Sequence, residues 1–131
     1  MCIRDRAQTI KAICEAEAYN GPSLIIGYAP CEMHSIKGGM ANCQAEMKKA
    51  VETGYWHMFR FNPALKAEGK NPLTIDSKEP TGDYREFITS ETRYSRLAQQ
   101  FPERAEALFA KAENAAKEKY ARLVKYGKLF E

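Results

Sequence analysis

Residues 23–40 read SLIIGYAPCEMHSIKGGM, an apolar run followed by a Pro-Cys step, a histidine three residues on, and a Gly-Gly pair. Apolar residues that are continuous rather than alternating, as in 23–29, match a strand covered on both faces within a parallel sheet. Open α/β sheets bind ligands at the carboxyl ends of their strands. Cys31, delivered to such an end, is therefore the leading site candidate.

What precedes the run sharpens this expectation. In residues 7–19 the apolar positions Ile10, Ile13 and Cys14 fall at helical spacing, and Ala12, Ala16 and Ala18 supply helix propensity. Asn20-Gly21-Pro22 ends the helix, because glycine tolerates the left-handed cap and proline cannot continue the helical hydrogen bonding. A helix, a short turn and a buried strand make the second half of a βαβ unit, so the first strand is expected upstream of Ala7. The leader MCIRDR has no capping residue and no periodicity, and it reads as a non-native sequencing artefact. On this reading the chain is a piece of a longer protein, and Cys2 is set aside with the leader.

The thiols limit the chemistry available to the chain alone. Cys2, Cys14, Cys31 and Cys43 are spaced by twelve, seventeen and twelve positions, with no Cys-x-x-Cys pair. This spacing supports neither a self-contained zinc site nor a disulfide framework. Most of these thiols read as small buried hydrophobes, while one can still ligate a metal together with residues outside the chain. A net charge of +3 is too small to point to nucleic acid. The longest clean apolar run, 24–26, is far short of a membrane span, and no secretory leader is visible, so a cytoplasmic setting is expected.

Downstream, Pro30 opens a loop that runs to Gly39, and a helix is expected over 40–53, closed by Gly54. Met40, Cys43, Met47, Ala50 and Val51 share its apolar face, and Glu46, Lys48, Lys49 and Glu52 are expected to face water. Cys43 on that stripe reads as core. The aromatic run YWHMFRF at 55–61 predicts a strand, and LTI at 73–75 its antiparallel partner across a polar loop, together an edge hairpin. His57 among those aromatics reads as a packed imidazole rather than a catalytic group. Asp83 is placed to cap a helix over 84–100. Pro102 then starts a long helix in which Ala105, Leu108, Phe109, Ala112, Ala116, Tyr120 and Leu123 recur at three and four residues. The segment SKEPTG at 77–82 separates the α/β part from two terminal helices.

Taken on chemistry alone, the motifs are weak. A Cys-x-x-His step is common by chance, and a metal or cluster needs several converging soft ligands. Lys37-Gly38-Gly39 lacks the spacing of a phosphate-binding loop, so its glycines read as a tight loop-to-helix turn. No Ser-His-Asp or Cys-His-Asn arrangement can be argued, and the Lys/Arg and Glu residues after Lys111 read as a solvated face.

Longer strings carry more. EAEAYNGPSLIIGYAPCEMH, SIKGGM followed by QAEMKKAVETGYW, FRFNP, EGKNPLTIDSKEP and EFITSETRYSRLAQQFPERAEALFAKAENAAKEKY together resemble the C-terminal part of the pyruvate:ferredoxin (flavodoxin) oxidoreductases, over everything from Ala7 onward. The resemblance implies an α/β fold, the C-terminal part of a thiamine-diphosphate-binding fold with a mostly parallel sheet, an edge hairpin and two long terminal helices. It divides the chain into the leader 1–6, the end of the thiamine-diphosphate-binding domain at 7–80, and a helical extension at 81–131.

The implied enzyme is a cytoplasmic homodimer that oxidatively decarboxylates pyruvate on thiamine diphosphate and magnesium. It passes electrons through [4Fe-4S] clusters to ferredoxin or flavodoxin and gives the acetyl group to coenzyme A. The resemblance further implies that Cys31 is the fourth cysteine ligand of the cluster nearest the thiamine; His34 reads as loop structure or, as the alternative, a neighbour of that cluster. The remaining ligands, and the residues that hold magnesium and diphosphate, are expected upstream. The chain alone is thus expected to be inactive and to need the remainder of its own enzyme chain, with no nucleic-acid or membrane partner. Ser35 stands where many relatives have glycine, which bears on the loop's backbone angles. Two alternatives remain: the thiamine-binding portion of another 2-oxoacid:ferredoxin oxidoreductase, and a small non-enzymatic helical interaction protein.

Overall fold

A computed structural model describes residues 6–130. The leader expected as an artefact lies outside the described residues except for Arg6, and so does Cys2. The elements are α1 (Arg6–Ala18), a 3₁₀ turn (Met40–Asn42) leading into α2 (Cys43–Glu52), β1 (Phe59–Phe61), α3 (Ala64–Ala67), β2 (Leu73–Ile75), α4 (Tyr84–Ser90), α5 (Thr92–Gln100) and α6 (Pro102–Lys128). The architecture is mixed α/β and rich in helix, with a two-stranded antiparallel sheet.

The core forms where α2, α4 and α6 meet. Ala50, Phe87, Ile88, Ala105 and Phe109 are buried together, and Tyr55, Trp56, Tyr84, Tyr94 and Leu97 close around them. Small residues at Ala50 and Ala105 let the helices approach, and Phe87 fills the space between, its ring centroid 4.9 Å from that of Tyr55. The cap and the proline start expected from the sequence are both present. Asp83 accepts a hydrogen bond from the Glu86 N–H at 3.0 Å, and Pro102 occupies the first turn of α6. The Gly54 N–H closes α2 on the Val51 carbonyl, with Gly54 at a positive φ that a side chain would strain.

The hairpin pairs Phe59 with Ile75, Arg60 with Thr74 and Phe61 with Leu73. Its inner anchor is a fork of two parallel bonds from Arg60 to Asp76, Nε to Oδ2 at 2.8 Å and Nη2 to Oδ1 at 2.9 Å. Arg60 Nη1 also reaches Glu15, and Gln8 donates to Asp76, so α1 docks on the hairpin through charge rather than through apolar surface. The end of α6 braces the same hairpin, where Asn71 Nδ2 donates to the Gly127 carbonyl at 2.7 Å.

Five expectations are corrected. The strand expected over 23–29 is irregular chain without a ladder, and the parallel sheet is not seen among the described residues. A strand needs a neighbour to pair its backbone; here none is provided, and Leu24 is left 82% and Ile26 65% exposed. The apolar stripe of α1 is likewise open, with Ile10, Ile13 and Cys14 exposed. The strand over 55–61 is shortened to Phe59–Phe61, because the Trp56 N–H turns back to the Ala50 carbonyl and His57 packs inward. Glu46 faces the interior rather than water, and Ser90 Oγ hydrogen-bonds its carboxylate. Finally, the helix over 84–100 is two helices, broken at Glu91, whose backbone is extended (φ −85°, ψ 123°) and pairs with Ile36.

Candidate functional site

The loop that carries Cys31 is fixed by its own backbone and by the helix break it faces. Pro30 is buried, and the Ser35 N–H closes a turn on the Cys31 carbonyl at 2.9 Å. This turn forces Ser35 into the left-handed region at φ 63°, the non-glycine residue with that conformation among the described residues. Glycine suits that backbone; serine adopts it under strain. Gly38 and Gly39 follow at φ 84° and 85°, which turns the chain directly into the 3₁₀ turn and α2. They serve the turn, as expected.

Cys31 is half-buried and its Sγ lies 3.1 Å from Nδ1 of the exposed His34. With its proton on Nδ1, His34 donates to the sulfur. That bond is the main reason the thiol is held below its ordinary pKa, aided by the His34 and Met33 backbone N–H groups and opposed by desolvation. The turn thus offers an acidified thiol on a surface-facing loop, a soft ligand for a metal once it is deprotonated.

Cys31 and His34 lie side by side in this turn; the other thiols do not join them. Cys14 is exposed on α1, and Cys43 is half-buried at the start of α2. Among the described residues no group of three or more His, Cys, Asp or Glu side chains converges as a metal site. A cubane cluster takes four thiolates, so the donor set fits one corner of such a cluster and not the whole. His57 is buried against Tyr120, and burial and the Lys119 ammonium hold its pKa below the ordinary value. It is a buried imidazole, as expected, although neither ring nitrogen makes a well-formed hydrogen bond.

Beneath the loop lies a polar cluster that the sequence did not reveal. Tyr28 Oη donates to Oε1 of Glu91, whose side chain is 2% exposed. Arg93 Nη2 is 2.7 Å from Glu91 Oε2 and donates to Tyr55 Oη at 3.0 Å, and the Tyr55 and Tyr94 hydroxyls are 3.0 Å apart. Burial and the neighbouring carboxylate push the Tyr28 hydroxyl far up, so it stays a donor. Ser90 and Thr92, on either side of Glu91, are residue types that compete with a helix for its own hydrogen bonds, and they are the signal that marks the break.

No family model matches the chain. It is similar to a pyruvate:ferredoxin oxidoreductase of Moorella thermoacetica, 56% identical over 125 residues that make up 95% of this chain and 10% of the relative. A pyruvate-flavodoxin oxidoreductase of Enterobacter agglomerans is 51% identical over the same shares. The mitochondrial pyruvate dehydrogenase [NADP(+)] of Euglena gracilis is 47% identical over 78% of this chain and 6% of its own length. The chain thus spans about a tenth of the length of the curated relatives it matches.

Proposed function

Because the chain is homologous to a segment of the pyruvate:ferredoxin and pyruvate-flavodoxin oxidoreductases, we propose that it serves as the corresponding part of such an enzyme and presents Cys31 to a [4Fe-4S] cluster. The enzyme converts pyruvate and coenzyme A to acetyl-CoA and CO2, releasing one proton and two electrons that pass to ferredoxin or flavodoxin. Thiamine diphosphate with magnesium belongs to the same reading, held by residues outside this chain. Residues 7–80 belong to the cofactor-binding α/β domain and 81–131 to a helical extension packed on it. The enzyme works as a cytoplasmic homodimer; no helix among the described residues is long and apolar enough to cross a membrane.

The observation that carries the reading is the thiol of Cys31, held toward its thiolate by His34 at the end of an unpaired, exposed apolar segment. An exposed apolar run next to a ligand-ready sulfur fits a surface that the rest of a larger enzyme covers. When bound, the cluster takes up and passes on one electron at a time. Cys31 contributes one anionic sulfur to it. The N–H of His34 orients that sulfur and, with the cluster bound, donates to it, as a neighbour that tunes a ligand does. Relatives named for ferredoxin, flavodoxin and NADP(+) all share this segment, which supports a role in a step common to them and not in the choice of acceptor.

A chimera tests this, with the chain replacing the matching segment of the Moorella enzyme. It is expected to keep the parental iron content and pyruvate oxidation, and Cys31→Ala to lose one cluster's worth of iron together with electron transfer to ferredoxin. Equal iron in the two chimeras would overturn the assignment of Cys31.

A further inference from the structure

The loop of Cys31 is clamped at both ends by three consecutive residues, Ser90, Glu91 and Thr92. On the entering side, Tyr28 Oη donates to the Glu91 carboxylate. On the leaving side, the Glu91 backbone bridges to Ile36, the Lys37 N–H donates to the Ser90 carbonyl at 2.7 Å, and the Thr92 N–H donates to the Ser35 carbonyl at 3.3 Å. Ser35 in turn closes on Cys31. These bonds exist because the helix is interrupted: within a continuous helix, the 90–92 backbone would be spent on its own turns. The interruption leaves an acidic side chain in the interior, an arrangement costly unless the charge is paired. Arg93 Nη2 pairs it at 2.7 Å, and the same nitrogen donates to Tyr55 Oη.

From this geometry we infer that Glu91 is a positioning residue for Cys31: its carboxylate and its extended backbone fix the two flanks of the thiol-bearing loop. The inference deepens the proposed function, and its link to the cluster rests on that reading. Charge does one part of the work and shape the other. The carboxylate tethers Tyr28, while the rings of Tyr55 and Trp56 hold the Tyr28 ring in place, at centroid distances of 5.5 and 5.9 Å. Removing the Tyr28 hydroxyl therefore cuts the tether and keeps the packing.

The test reads amide hydrogen exchange in the full chain. Tyr28→Phe is expected to speed exchange of the Lys37 and Thr92 amides by about tenfold, the loss of one hydrogen bond to a charged group, while the Phe87 and Ala105 amides hold their rates. Glu91→Gln, which keeps an acceptor for Tyr28, is expected to raise loop exchange less than Glu91→Ala. Unchanged loop amides in Tyr28→Phe, or an equal rise at the core amides, would overturn the clamp. In the chimera, Tyr28→Phe is expected to shed cluster iron several-fold faster on gel filtration. Parental retention with a loosened loop would overturn the positioning role, whereas iron retained by Cys31→Ala would instead strike at the ligand assignment.

Discussion

Cys31 Sγ and His34 Nδ1 stand 3.1 Å apart across a single turn, so the thiol's acidity is set by one exposed imidazole. In the metal-free chain, with the other cysteines replaced, Cys31 is expected to react with iodoacetamide at neutral pH faster than His34→Gln does. The variant loses the donor that stabilises the thiolate, so its rate-against-pH profile moves to higher pH and its rate near neutrality falls roughly several-fold. Identical profiles would show that the imidazole does not act on the sulfur.

Ser35 carries the strain of the same turn. At φ 63° a serine is held where glycine rests comfortably. Ser35→Gly is expected to stabilise the chain by about 0.5–1 kcal/mol, the relief of left-handed strain less the entropy glycine gains when unfolded. Urea midpoints of the two chains measure this. A lower midpoint for the glycine variant would contradict the strain.

His57 gives stability a pH dependence of definite sign. Burial, then the Lys119 ammonium, depress its folded pKa, with the Ala116 carbonyl opposing. Unfolded, the imidazole takes up its proton at about pH 6.5. The contribution is thus complete above that pH and is lost as pH falls through it toward the folded value. Urea titrations at falling pH are expected to show wild type losing stability in that window more steeply than His57→Phe.

The Arg60–Asp76 fork closes the hairpin, and Glu15 and Gln8 of α1 dock on its two members. Asp76→Asn is expected to cost about 2 kcal/mol, since the pair is largely shielded and each bond involves a charge. Arg60 above all, with Gln8, keeps the Asp76 carboxyl below its ordinary pKa. Its contribution is present above the unfolded carboxylate pKa and is lost as acid protonates the folded group. Wild type and variant are therefore expected to converge in acid, measured by thermal melts.

What was legible in the sequence was local. The Asn20-Gly21-Pro22 stop, the Asp83 cap and the Pro102 start each depend on residues a few positions apart, and the pairing of β1 with β2 spans one short connection. The misses share a non-local cause. Leu24, Ile25 and Ile26 have a strand's composition, but a strand exists only where a partner offers hydrogen bonds. Glu46 reads as solvent-facing until Ser90, from a distant helix, arrives to satisfy it. The break at Glu91 has no proline or glycine; Ile36 and Tyr28, more than fifty residues earlier, make it worthwhile. Of the site, the Cys31–His34 spacing was a weak signal that gained weight only from the resemblance of the longer strings, and the clamp beneath it could not be read.

The unpaired run at 24–26 also governs how the chain behaves in concentrated solution. Three consecutive branched aliphatic residues, exposed and without a ladder partner among the described residues, offer apolar surface on which a second molecule can pack. A lysine at Leu24, the most exposed of the three at 82%, interrupts that surface without touching the core.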